Sequence, residues 1–170
     1  MSSTAIVREI DISTNNLLSL IKKFSDEQFN RIPFAGSWTA AQVMDHLLKA
    51  ETWLLSLLTG QTISTDREPD EKVHIIRSVF LDFAHKLQSP PFIIPAQEPW
   101  QPAVMYEAFN SNRAVLRTQV LTLNLTETCT GFELPELGYL TREEWYCFAY
   151  CHASRHTYQL ANIYQAINQA

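Results

Sequence analysis

The side chains in this chain best suited to chemistry are histidines. In "CHASRHTYQL", residues 151–160, His152 and His156 stand four apart in a segment that otherwise reads as a buried helix. On a helix turning about 100° per residue they differ by only about 40° around the axis. Trp145, Ala149, Gln159 and Ile163 share their stripe, which is the one the helix should turn inward. Two imidazoles there are polar groups in an apolar setting, and they need partners. A divalent ion is one such partner, because histidines at i and i+4 can share it. Other side chains or water are the alternative, and the spacing alone does not separate the two.

His46 changes the balance. It lies in the middle of "WTAAQVMDHLLKAETWL", where Gln42, Val43, Ala50, Trp53 and Leu57 share its stripe. A lone inward histidine is ordinarily a satisfied core residue. Three from two helices make a facial set of nitrogen donors that leaves positions open for water or substrate. Gln42 and Gln159, on the same stripes, can orient an imidazole or bond a bound water, or can serve in capping and packing. Trp53, Tyr106, Trp145 and Tyr158 can line an apolar pocket or pack in the core. His74 and His85 fall on a separate outer segment and read as surface residues. Asp45 and Glu51 flank His46 but turn away from its stripe, as solvated or ion-paired groups. Cys147 and Cys151 share one side of the last helix and read as small core residues.

Helices must position these groups. Apolar periodicity predicts a first helix over residues 5–24, and "SDEQ" at 25–28 resembles a capping box. "WTAAQ" opens the second, with Thr39 as N-cap, Gln42 three positions on and Trp38 as a staple; the pattern runs to Leu58, with Gly60 as a stop. Residues 71–88 can form a helix of their own. "QSPPFIIPAQEPWQP" holds five of the eight prolines and reads as a long extended crossover. A third main helix spans residues 103–123. "ETCTGFELPELGYL" reads as a loop. The fourth main helix opens at "LTREEW", with Thr141 as N-cap, Glu144 completing the box and Leu140 and Trp145 as staple, and runs to about residue 166. The expectation is an all-α fold: a four-helix bundle, one domain over residues 1–170, with a long crossover carrying an extra helix.

Composition excludes several functions. With 13 Lys+Arg against 18 Asp+Glu, the formal charge is −5, and no basic stripe is present; nucleic acid is therefore not an expected partner. Neither GxGxxG nor GxxxxGK[ST] occurs, so nucleotide binding has no support. No apolar run approaches a membrane span, and the first residues lack a signal-peptide pattern. Three cysteines make a disulfide framework unexpected, and a reducing cytoplasm is the simplest home.

The motifs together resemble a known family. "GSWTAAQVMDHLLKAE" is similar to the W-[ST]-x-x-x-[VIL]-x-x-H-[LI] segment of the DinB-like (DinB/YfiT) superfamily. "LGYLTREEWYCFAYCHASRHTYQLANI" is similar to its G-x-L-[ST]-x-x-E-W…H-x-x-x-H-x-x-Q signature, "FNSNRAVLRTQV" to its third-helix F-x-x-x-R-x-x-L pattern, and "PPFIIP" sits where its proline-containing crossover lies. The resemblance covers nearly the whole chain. It implies a bundle with up-down-down-up connectivity, related to mycothiol-dependent isomerase N-terminal domains and bacillithiol transferases. It implies His46, His152 and His156 as ligands of a divalent metal ion (nickel, zinc or iron), and a homodimer. It also implies a metal-dependent hydrolase or thiol S-transferase acting on a small molecule. The family commonly carries His-Pro before the last helix; Leu134-Pro135 stands there in this chain, which alters the mouth of the pocket rather than the triad.

Three neutral imidazoles leave a divalent ion's charge uncancelled. Such an ion lowers the pKa of bound water from about 15.7 to about 7, and equally favours the thiolate of a bound low-molecular-weight thiol. No carboxylate falls on the inward stripes to act as a general base, which tilts the reading toward thiol transfer. The competing class is a non-catalytic bundle that binds a small molecule or serves in stress response.

Overall fold

Three of the four long helices begin where a side chain takes up a free amide of the first turn, and the fourth begins at a proline. In the computed structural model, which describes residues 1–169, Ser2 caps α1 (Ser3–Ile21) by accepting from the Ala5 amide. Capping boxes open α2 (Asp26–Asn30, Ser25 with Gln28) and α3 (Ala40–Leu58, Thr39 with Gln42). Pro102 occupies the first turn of α5 (Pro102–Thr122), where its missing amide costs nothing. Thr141 and Glu144 form the reciprocal pair at the start of α6 (Arg142–Gln169), at 3.2 and 2.9 Å. Glu144 is fully buried and also receives both Nη atoms of Arg67, at 2.6 and 2.7 Å, and the Lys72 amide at 2.8 Å. One carboxylate thus fixes the start of α6 and the approach to α4 (Val73–Phe80).

α1 and α3 each pack against both α5 and α6, and α4 packs on the outside of α6. Two apolar clusters fill the interior. One gathers Leu54, Leu57 and Leu58 of α3 with Trp145 through Cys151 of α6. The other gathers Ala40 through Leu47 of α3 with Ala153, Leu160 and Ile163 of α6. His46 and His152 lie where the clusters meet. No helix is long and apolar enough to cross a membrane among the described residues.

The structure departs from the sequence reading in three places. Residues 128–141 are not a loop: β2 (Thr128–Leu134) and β3 (Gly138–Thr141) form an antiparallel hairpin, and β1 (Thr62–Ile63) pairs with β2 to give a sheet of order β1-β2-β3. The fold is mostly helical, broadly in keeping with the all-α expectation, with a small sheet added to it. Glu136 (φ 67°) and Gly138 (φ 67°) turn the hairpin; Glu136 carries the left-handed conformation although it has a Cβ. Second, α4 stops at Phe80 instead of reaching residue 88. Asp82 accepts from the Ala84 amide at 3.0 Å and contacts His85 at 2.7 Å, a local alternative that competes with helix. Arg155 meanwhile takes the Phe80 and Asp82 carbonyls. Third, α1 ends at Ile21, tightened by Lys23 and Phe24 amides bonding three residues back.

The crossover after α4 holds its proline run along α3. A 3-10 turn, Pro91–Ile93, is followed by the Ala96 amide on Asp45 at 2.7 Å, while Lys49 reaches the Ile94 carbonyl at 2.9 Å.

Candidate metal centre

The two helices bring His46, His152 and His156 together, all buried, with one ligand-capable atom from each within 4.8 Å of the others. His152 Nε2 is the centre. It lies 3.1 Å from His46 Nε2 and 3.0 Å from His156 Nε2. The outer ring nitrogens are engaged elsewhere. His46 Nδ1 sits 2.9 Å from the Ile93 carbonyl, and His156 Nδ1 sits 2.8 Å from Gln159 Oε1. Both partners accept hydrogen bonds, so in the neutral rings Nδ1 carries the proton and Nε2 presents a lone pair. His152 Nε2 can donate one proton to one neighbour only. Without a cation, the other contact sets an imidazole lone pair, at about 3 Å, against a nitrogen with no proton left to offer it. A metal ion resolves the conflict by accepting from all three.

Burial keeps the rings neutral. Desolvation is the largest cause for each. It pushes His152 well below the ordinary range, with the His156 and His46 charges acting the same way. His156 falls to about 3, with the Gln159 bond opposing the shift. His46 is lowered against the pull of the Ile93 carbonyl and Asp45. A buried base with a lowered pKa stabilises the fold above its unfolded value. That stability is lost as pH falls from about 6.5 toward about 3, because the unfolded chain binds protons that the native chain refuses. Chelator-treated protein should therefore lose up to about 1.4 kcal/mol per pH unit for each histidine below pH 6.5. Urea unfolding at about pH 7 and pH 5 measures this, and His156→Gln should flatten the dependence; equal slopes in both proteins would contradict the assignment.

Aromatic rings hold the imidazole planes. Phe148 stacks on His152 at 5.1 Å and 20°, and Trp38 packs on His46 at 5.3 Å. The triad forms one wall of a cavity of about 580 Å³. Trp53, Phe92, Phe132 and Trp145 form a cluster of tilted and edge-to-face rings on another side. Ile75, Val79 and Phe80 of α4 and the hairpin turn from Leu134 to Leu137 also line it. Glu136 is the lining carboxylate and Arg155 the lining cation.

The candidate neighbours part company. Gln159 bonds His156, and Trp53 lines the cavity. Gln42 does not reach an imidazole: its carbonyl caps the Thr39 amide and its amide bonds Ala96 and Gln97 of the crossover. The helix start uses its side chain, which is the capping role that the sequence also offered for it. Tyr106 lies outside the cavity lining, packed in the second apolar cluster with Lys22 over its ring at 4.8 Å. It projects from α5, which contributes nothing to this cavity. Trp145 lines the cavity; Tyr158 instead stacks on Phe83 at the surface. Asp45 pairs with Lys49, and Glu51 with Arg113 in the core. His74 and His85 are exposed, and the three cysteines are buried and unpaired. Ile93, Phe148 and Arg155 were not identified from the sequence. Ile93 acts through a backbone carbonyl, which no residue type announces. Phe148 stands four before His152 on α6, a spacing that could have identified it.

Along its length the chain is 26% identical over 170 residues to an uncharacterized protein, YuaE, of Bacillus subtilis (strain 168), covering 98% of this chain and 99% of that one. No solved structure matches. The DinB superfamily model matches residues 9–160, a span that includes all three histidines, and the chain belongs to that superfamily.

Proposed function

We propose that His46, His152 and His156 hold one divalent ion (nickel, zinc or iron) through their Nε2 atoms, and that the site would favour the thiolate of a small thiol, whose sulfur bonds to an electrophilic carbon of an apolar small molecule while that carbon's leaving group departs with the bonding electrons and takes up a proton. The observation that carries this reading is the convergence of three neutral imidazoles whose nitrogen contacts cannot all be satisfied by their own protons. The donors also fit. Three imidazole nitrogens, two pairs of them 3.0 and 3.1 Å apart, are a donor set that a divalent nickel, zinc or iron ion would accept.

A bound ion would supply Lewis acidity that favours the deprotonated form of a thiol. The chain's own residues do the remaining work. Ile93 and Gln159 fix the tautomers, Phe148 and Trp38 fix the ring planes, and the apolar walls limit the water that competes with a thiol. Among the described residues no carboxylate contacts the triad, and Glu136 stands on the hairpin turn, so none of them is a general base for water beside the imidazoles. This favours thiol transfer over hydrolysis.

The same reading takes residues 1–170 as one domain, with α1, α3, α5 and α6 as an up-down-down-up four-helix bundle. The packing of α1 and α3 on both α5 and α6 supports it. We also propose a cytoplasmic homodimer, in keeping with three unpaired cysteines. The formal charge of −5 argues against a nucleic-acid partner.

Elemental analysis of purified protein should find about one divalent ion per chain, or uptake of one on dialysis. Cobalt-loaded protein should change its visible absorption when a small thiol is added. Absence of any metal uptake would overturn the site, and metal uptake without a thiol response would overturn the transferase. Gln159→Leu should weaken metal binding by about 10- to 100-fold, because it frees the His156 ring to turn; titration calorimetry measures this.

A further inference from the structure

Among the described residues one cation, Arg155, lines the cavity, and it makes no ion pair. Arg67, Arg113, Arg117 and Arg142 each pair with a carboxylate: Glu144, Glu51, Asp11 and Glu127. Arg155 pairs with none among the described residues, although Asp82 lies near enough to act on it through space. Its bonds go to neutral backbone carbonyls: Nη1 to Phe80 at 3.4 Å and Asp82 at 2.8 Å, and Nη2 to His85. A guanidinium has five N–H groups in one plane. Three bonds leave the Nε proton and one more uncommitted, and Arg155 is half-buried in the lining. It lines the same cavity as His152 and His156, and its charge acts on both rings. The walls around it are apolar and aromatic. A planar cation with free donors in such a setting matches a carboxylate, which accepts two parallel hydrogen bonds.

We propose that the cavity takes an apolar small molecule bearing one carboxylate, and that Arg155 binds that carboxylate. The proposal names the ligand class of the site described above and rests on that reading only for the chemistry that follows binding. The apolar body lies against Trp53, Phe92, Phe132 and Trp145, and the carboxylate meets the spare guanidinium donors. The acid end is thereby fixed next to the imidazoles, and the rest of the molecule is oriented relative to them.

The test uses two matched fluorescent probes, pyrenebutyrate and the neutral pyrenebutanol. Their affinities are measured on wild type, Arg155→Met and Arg155→Lys, first in chelator so that no ion can hold the acid, then after loading with nickel. In chelator, wild type should bind the acid at least about tenfold more tightly than the alcohol, the worth of a charge-assisted hydrogen bond. Arg155→Met should erase that preference and leave alcohol binding within about twofold. Arg155→Lys keeps the charge without the planar fork and should retain part of the preference; it carries the test if the Met variant does not fold. Equal binding of the two probes by wild type overturns the proposal. So does equal loss of both probes in either variant, which is the mark of a strap that only holds residues 80–85. Nickel uptake by the triad is measured separately by calorimetry. Failure there with the probe preference intact overturns the metal site alone, and the reverse pattern overturns this proposal alone.

Discussion

His152→Ala abolishes tight metal binding while leaving the helices in place: that is the expected result of removing the central imidazole. His152 Nε2 is the atom within 3.1 Å of both other Nε2 atoms. Changing an outer partner of a ligand costs about 10- to 100-fold in affinity, and loss of the ligand itself should exceed that. The fold should survive. Phe148 and Phe80 lose a stacking partner, but no hydrogen bond from this ring holds two elements together apart from its contacts within the triad. Calorimetric titration with nickel or zinc reads the first effect, and circular dichroism the second. Nickel affinity within about threefold of wild type would remove the metal site from consideration. Loss of helix content would instead make the histidines structural.

The second large effect lies away from the cavity. Arg113 of α5 is 2% exposed and binds four helices into one network. Its Nη2 donates to Glu51 of α3 and to the Ala149 carbonyl of α6 at 3.3 Å, and its Nη1 donates to Ser13 Oγ of α1 at 3.3 Å. Phe109 lies beneath the guanidinium at 4.7 Å. Burial pushes the Glu51 carboxyl up to about 7, against the pull of Arg113. Arg113→Met leaves that carboxyl buried without its partner. The expected cost is about 3–5 kcal/mol, or a Tm lower by roughly 10 °C at this chain length. The deficit should grow as pH rises above about 7, because the wild-type carboxyl then releases its proton as the unfolded chain has, while the unpaired buried acid still holds its own. Glu51→Gln combined with Arg113→Met should recover a large part of the loss, since no charge is then left buried. A single variant that costs less than about 1 kcal/mol would show that the network is not a main support.

Local signals were legible because their physics is local. A hydroxyl and a carboxamide three residues apart satisfy amides of their own turn, so Thr39 with Gln42 and Thr141 with Glu144 marked the starts of α3 and α6 in the sequence. The inward stripes selected His46, His152 and His156 because a helix's period fixes which side chains share a face. For Gln42 the stripe left two roles open and its side chain takes the capping one, folding back onto its own N-terminus, while Tyr106 lies outside the cavity. The hairpin was missed for a different reason. Proline and glycine at 135 and 138 read as loop, while the partner strand Thr62–Ile63 lies 65 residues or more upstream of its pairs.

By itself the sequence determined the helices, their caps and the three histidines, all set by contacts within a few residues. Only the tertiary structure decided that those imidazoles converge, that the Ile93 carbonyl fixes one tautomer, that α4 stops at Phe80, and that Arg155 lines their cavity without an ion pair. The convergence and the tautomer depend on contacts between residues 106 and 47 positions apart, and the end of α4 joins the local Asp82 bonds to a contact from Arg155. Such contacts arise from how whole elements pack, and no short stretch of sequence encodes them.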